Sequence, residues 1–436
     1  MNTAVTLEQS LLGELAAQEV ALSSAPPHLR AIRGNAMRRF AETGLPSRKD
    51  EAWRWTDLAL LRKPFSPQAS SPPARLDSMH GPFADLNAWR LTFVNGIFQS
   101  DLSDLPPGVS TASLYAALRT DPSLIDRLGE NSASPFLSLN TALLNDGAFV
   151  HVYPETKLQK PLHLVFFNTG NAQIRNLILL EPGADVTLLE SHYGPADADY
   201  FINQASDIQL GGGARLAHYR DQAESGNALH FQYLNVRLGA DSLYDGFTLT
   251  RGARLSRNEA NIEISGSGAH CNLNGVNMLS GAQIADTTCA IRHRAPGSSS
   301  SQMFRSVLDG KAQGVFQGLI RVAKPAQRTD ARQQIKALLL SPHAVQNAKP
   351  ELEILADDVK CAHGASVGQL DEAALFYLRA RGIGLPQARA LLIAAFLDDA
   401  VAQIQGSDVL DAGSIRQNIQ STITEWLALH MVNENV

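Results

Sequence analysis

Apolar residues change their spacing twice along this chain, from a helical period to a period of two and back again. Between residues 7 and 43, Leu7, Leu11, Leu12, Leu15 and Ala16 share one helical face, and Leu29 to Phe40 repeats the pattern. Ser23-Ser-Ala-Pro-Pro27 breaks the two. A Pro/Ser-rich tract near 66–73 reads as a connector, followed by a strand from Arg90 to Asn95 that turns at Gly96. Residues 111 to 146 return to helix-like patterning. From about 148 the period becomes two: Val150–Tyr153, Leu162–Phe166, Ile174–Leu180 and Val186–Leu189 are short strands with turn residues between them. Strand-like segments continue to about 365 without a convincing long helix.

Beyond Val367 the helical period resumes. Asp371 suits the N-cap of a helix that runs through Arg381 and stops at Gly382. Pro386 sits early in a second helix. Ser414 is expected to cap a third, which carries Ile415, Ile419, Ile423 and Trp426. The division that follows is a mostly helical region over 1–147, a β core over 148–365 and a helical domain over 366–436. The fold class is mainly β, flanked by helices. Helices appended to such a core are expected to cap its open strands and to offer an apolar docking surface.

A Gly-Ala dipeptide recurs through the β region, at Gly183, Gly213, Gly239, Gly252, Gly268 and Gly281. Its gaps of 30, 26, 13, 16 and 13 residues are one short unit or about twice it. A stacked coil accounts for this: glycine takes the corner dihedrals, and alanine is small enough to stack on its copies. A β-sandwich with Gly-rich hairpins is the other architecture compatible with the pattern.

The residues richest in chemistry are Cys361 and His363. They lie two apart on what reads as the last strand of the β region, so both project to one face. Thiolate and imidazole both suit iron and zinc, and one of each is half a metal site. A second chain would have to supply the rest. The bland reading is a packed thiol and a hydrogen-bonded imidazole. Cys271 and Cys289, eighteen residues apart with no companion ligands, fit burial in the coil. His151, His163, His218 and His230 show no ligand spacing and read as structural. Asp357-Asp358 would straddle both faces of a strand, and Asp371-Glu372 opens a helix, where acidic groups favour the dipole. Neither pair suggests acid–base work.

Composition narrows the function by exclusion. Of 436 residues, 44% are hydrophobic and 18% charged, as in a folded globular protein. The net charge of −6 opposes a broad nucleic-acid footprint. Three cysteines without a CxxC pair fit a reducing compartment. No signal peptide or run of ~18 apolar residues stands out, so a cytoplasmic, non-membrane protein is expected. There is no G-x-x-x-x-G-K-[ST] loop for nucleotide hydrolysis and no G-x-S-x-G elbow, and Gly211-Gly-Gly213 is too short for a dinucleotide fingerprint.

The run Glu353 to Glu372, continued through Ala373-Ala-Leu-Phe-Tyr-Leu-Arg-Ala-Arg-Gly-Ile383, closely resembles the C-terminal signature of the SufB/SufD family of iron–sulfur cluster assembly scaffolds. Phe136–Ala142 and Pro161–Leu164 resemble it as well. Pro46-Ser-Arg-Lys-Asp-Glu-Ala-Trp-Arg-Trp-Thr-Asp57 looks like the entry segment of the SufD branch, as do the moderate length and few cysteines.

The resemblance implies a right-handed parallel β-helix core between helical domains and a non-catalytic scaffold role. It implies a complex with SufB and the ATPase SufC, the latter held by the C-terminal helices; a homodimer when partners are absent is left open. It further implies a transient iron–sulfur cluster at a shared site, for which His363 and Cys361 match the family's motif. Reduced flavin on the complex is implied too, with no motif here to localise it. The rival readings are the SufB paralogue and a β-helix carbohydrate-active enzyme; the latter calls for a ladder of acidic groups along one face, which is missing.

Overall fold

A parallel strand cannot pair with its chain neighbour through a tight turn, so a chain of short strands must travel before it pairs. Beyond the first coil, the journeys are nearly equal, 27 to 31 residues each. In the computed structural model, which describes residues 6–21, 26–62, 80–129 and 134–431, successive strands alternate between two facing sheets, and strand n pairs with n+2. One sheet contains β1 (Trp89–Val94), β5 (Leu162–Phe167), β7 (Asp185–Tyr193), β9 (Arg215–Gln222) and β11 (Leu243–Thr250). It continues through β13 (His270–Leu279), β15 (Ser299–Leu308) and β17 (Asp330–Leu339) to β19 (Lys360–Gly368). The other contains β4 (Ala148–Val152), β6 (Ala172–Leu180), β8 (Phe201–Leu210) and β10 (Leu229–Leu238). It continues through β12 (Leu255–Ile264), β14 (Ile284–His293) and β16 (Gln313–Val322) to β18 (Val345–Ile354). The result is a β-solenoid of about eight turns. The mainly β class and the stacked coil are therefore correct, and the sandwich is not.

The stacking is in register. Val186, Leu216, Tyr244, Cys271, Ser300, Ala331 and Cys361 form one inward column across the odd sheet. Leu188, His218, Gly246, Leu273, Gln302, Gln333 and His363 form the next. At one corner Glu155, Gly183, Gly213, Asp241, Gly268, Gly297 and Arg328 all take positive φ, 27 to 31 residues apart, which is the true coil length. Their N–H groups form a ladder, each donating to the turn of the next coil, as in Gly183 N–H to Gly212 O at 3.0 Å.

The six Gly-Ala sites only partly mark this corner. Gly183, Gly213 and Gly268 belong to it, whereas Gly281 occupies the opposite corner, which produced the half-coil gaps. Gly239 and Gly252 do not use positive φ; they permit close backbone approach, since a Cβ on Gly252 would lie 2.3 Å from Glu224 N.

Helices sheathe the outer faces. The first, α1 (Leu7–Ala21), packs Leu7 and Leu11 with Trp53, Phe136, Phe201, Phe231 and Leu255 over the even sheet. The second, α2 (Pro27–Thr43), packs Leu29 and Ile32 against Leu177 and Leu179. Trp53 lies against Phe136 and Phe231, with the Arg257 guanidinium 3.7 Å from its ring centre. The segment around it is pinned by Gln313 to Trp55 O and Gln317 to Ala52 O. The predicted 66–73 connector lies outside the described residues. Two short strands, β2 (Ile97–Phe98) and β3 (Val109–Ser113), pair antiparallel with β1 and β4 and close the first coil. A short helix α3 (Leu114–Thr120) and α4 (Pro135–Ala142) complete this side.

The C-terminal helices are α5 (Glu372–Ala380), α6 (Leu385–Val401) and α7 (Ala412–Met431). Asp371 caps α5 by accepting from Ala373 and Ala374 N–H, and Gly382 follows at φ 86°. The cap near α7 is Asp411, which accepts from Ser414 N–H, so the expectation for Ser414 is corrected. A larger correction concerns placement. Ile393, Leu397, Ile404, Ile419, Ile423 and Trp426 pack on Leu189, Tyr219, Phe247, Leu249, Val276 and Met278 of the odd sheet's outer face. They cover the flank and not the end, because the sheet's outward positions are apolar there and need covering.

Coil-to-coil contact leaves no room for a methyl at some corners. Gly266→Ala, whose Cβ would meet Ala240 N at 2.0 Å, is expected to cost about 1–3 kcal/mol or more. Gly226→Ala, with nothing within 4 Å, serves as the control and is expected to be nearly neutral. Denaturant unfolding midpoints check the pair.

Candidate functional site

A solenoid whose last coil is bare presents two strand edges and an unlidded interior. In this chain β18 and β19 are paired on one side only. Burial falls along the coil stack: β6 is buried throughout, β17 alternates, and nearly all of β19 is exposed. Val345, Ile354, Leu355 and Val367 are left as exposed apolar groups there. Such an edge is a ready template for another strand.

Cys361 and His363 stand on β19 opposite Ala331 and Gln333 of β17. Both continue the inward columns, so with no following coil they stand at the open end of the interior. His363 is exposed. Cys361 is partly buried against Ala331, Ile320, Val322 and Ala356. The expectation that they project together therefore matches the strand geometry. Under His363 runs a line of buried polar groups: Gln333 Nε2 donates to Gln302 Oε1 at 3.2 Å, and Cys289 Sγ donates to the same oxygen at 2.8 Å. Partial burial pushes the Cys361 thiol above its ordinary pKa; a backbone hydrogen bond from Ala331 opposes this and the Asp330 charge adds to it. An unassisted Cys361 is thus a thiol at neutral pH, and a metal or a cationic partner would be needed to make it a ligand.

Asp357 and Asp358 lie in a bend between β18 and β19, not across a strand as expected, and Asp358 O accepts from Arg328 N–H there. Cys271 and Cys289 are buried, as expected, and burial drives both thiols well up.

One grouping was missed. His192, Glu224 and His230 come together inside the solenoid, the one trio among the described residues whose ligand atoms all lie within 4.8 Å of one another. Motif spacing cannot find residues 32 and 6 apart on different strands. The coil period could have, since His192 sits one coil after Phe166 and one before Gln222 in a single column.

Two family models match: the SUF system FeS cluster assembly SufBD core domain over residues 166–396 and the SufBD protein N-terminal region over residues 12–164. The chain belongs to the SufB/SufD family. An iron–sulfur cluster assembly SufBD family protein of Synechocystis is 34% identical over 83% of this chain and 84% of that one. The iron–sulfur cluster assembly protein SufD of Escherichia coli is 30% identical over 83% and 85%. A chloroplastic protein of Arabidopsis thaliana, ABCI7, is 31% identical over 90% and 87%. Family membership makes this chain a protein of SUF iron–sulfur cluster assembly. No helix among the described residues is long and apolar enough to cross a membrane.

The raised thiol pKa sets the sign of one test. Alkylation of Cys361 by iodoacetamide is expected to be slower at neutral pH than that of a free cysteine. It should rise with pH through a midpoint above the ordinary thiol value, read by peptide mass spectrometry. A rate already flat at neutral pH would show a resting thiolate.

Proposed function

We propose that this chain is a SufD-type, non-catalytic scaffold subunit that works in the cytoplasm with SufB and the ATPase SufC, and that its β19 end forms half of a shared cluster-assembly site. The observation that carries the reading is the pairing of Cys361 and His363 on a terminal strand with no coil above it. A thiol and an imidazole leave at least two positions of a four-ligand shell to be filled from outside. The bare edges of β18 and β19 provide the means, since a partner's strands can extend both sheets and carry their own ligands into reach. The same edges permit a homodimer when the partner is missing.

The C-terminal helices support a second contact. Phe376 and Tyr377 on α5 are 73% and 56% exposed, and Leu391 on α6 is 48% exposed. These apolar groups suit docking of SufC, whose ATP-driven movement would alter the separation of ligands held by two chains. The SufD-named relatives of Escherichia coli and Bacillus subtilis favour that branch over SufB. The cluster itself is the cargo of such a site, built there and passed on, and reduced flavin would act on the complex as the electron source.

The test is co-expression with SufB and SufC, comparing wild type with His363→Ala. Co-purification is expected to survive, because His363 is exposed and contributes little to folding. Cluster supply in cells is expected to fall by about tenfold or more, at least the cost of disturbing an outer-shell group at a metal site. Unchanged supply would remove His363 from the mechanism.

A further inference from the structure

The solenoid interior is not uniformly apolar. Beside the Val186, Leu188, Leu216 and Ile208 core lies a buried polar layer containing Glu190, His192, His218, Arg220, Gln222, Glu224 and His230. Part of it is satisfied around Glu190, while His192 Nδ1, Arg220 Nε, Gln222 Oε1 and His230 Nε2 have no hydrogen-bond partner. Glu190 accepts from His192 at 3.2 Å and His218 at 3.1 Å, with Arg220 at 3.7 Å. Burial alone would raise the Glu190 pKa, but His218, His192 and Arg220 hold it well below the carboxylate range.

The trio next to it is different. His192 comes from the end of β7, Glu224 from the corner after β9 and His230 from the start of β10. Their residues are 0%, 4% and 0% exposed. His192 uses Nε2 on Glu190, and its Nδ1 has no partner. His230 uses Nδ1 on Glu224 at 2.6 Å, and its Nε2 has none. The two rings stand edge to face, 5.1 Å apart. Glu224 forms no ion pair with an arginine or lysine among the described residues. His192 Nδ1 is a buried nitrogen without a partner, and the short His230 Nδ1–Glu224 contact is a donor pair that a cation can bridge in place of the shared proton, with one ligand atom from each of the three residues within 4.8 Å of the others.

We propose that His192, Glu224 and His230 form a buried site for a divalent first-row metal ion of the zinc type, separate from Cys361 and His363. Two imidazoles and one carboxylate are an established donor set for that class. The Glu190–His192 hydrogen bond is the outer-shell contact that orients a ligating histidine. The inference does not depend on the scaffold reading, since it concerns the interior of the coil.

The experiment uses the full chain and Co²⁺ as the probe. Because the site is enclosed, Co²⁺ is offered both to the native chain and during refolding from denaturant after chelation. The expected result is one Co²⁺ per chain with visible d–d absorption, displaced by Zn²⁺ and retained in the Cys361→Ser, His363→Ala double variant. Glu224→Gln and His230→Gln are expected to lower retention at least tenfold while circular dichroism reports the β fold. His192→Cys is expected to keep the ion and add a thiolate-to-cobalt charge-transfer band that the wild type lacks. A folded wild type that retains no cobalt by either route overturns the proposal, as does retention unchanged in the glutamine variants or a cobalt-loaded His192→Cys without the new band.

Discussion

Everything in this protein follows from strands that pair two positions ahead, in register, at a coil length held near-constant by its corners. In-register stacking puts like positions in columns, so each inward side chain is judged by its copies above and below it. A column of Val186, Leu216, Tyr244 and Cys271 packs; a Gly266 corner under Ala240 tolerates no side chain. The same rule makes the last coil special without any change of geometry. Its ladder groups and inward side chains are positioned for a successor that the chain does not provide. The incomplete hydrogen-bond ladder and the proposed half-site of Cys361 and His363 share one location, β19.

The helical coats decide which strands are permitted to be exposed. The N-terminal helices and the Trp53 segment cover the even sheet, and α6 and α7 cover the odd sheet. Both coats thin out before the last coil, which is why burial declines from β6 to β19. Had the C-terminal helices folded over the end, they would have covered the edge strands and hidden Cys361 and His363. On the flank they leave both available and expose Phe376 and Tyr377 as well.

Much of this was legible in the residues. The return of the helical period after 367 marked where strands give way to helices, whereas the switch near 148 lies after β1 and β3, which already belong to the two sheets; Asp371, Gly382 and Pro386 marked helix ends through local backbone chemistry. The coil length was not legible. Glycine occupies only part of the positive-φ column, with Glu155, Asp241 and Arg328 holding the other places, and Gly-Ala pairs fall on two different corners. Period-two alternation is blurred wherever helices bury the outer face too, so β5 to β10 are buried almost throughout and polar residues such as Glu190, His192, Asn203 and His218 sit among the apolar ones. The terminal pair was visible because its two residues are adjacent on one strand. The interior trio was invisible because its members meet only after the coil closes.

The two sites differ in the physical reason each wants something more. At β19 the deficit of the proposed half-site is geometric: His363 is exposed, and the partly buried Cys361 thiol would need a positive centre beside it to lose its proton. Inside the coil the deficit is electrostatic, because water is excluded and an unpartnered imidazole nitrogen there has lost its solvent. An exposed half-site can fill and empty as partners approach and leave, which suits transient cargo. An enclosed three-ligand site exchanges only when coils part, so an ion held there would act as a fixed structural pin between β7 and β10, unlike cargo at an exposed half-site.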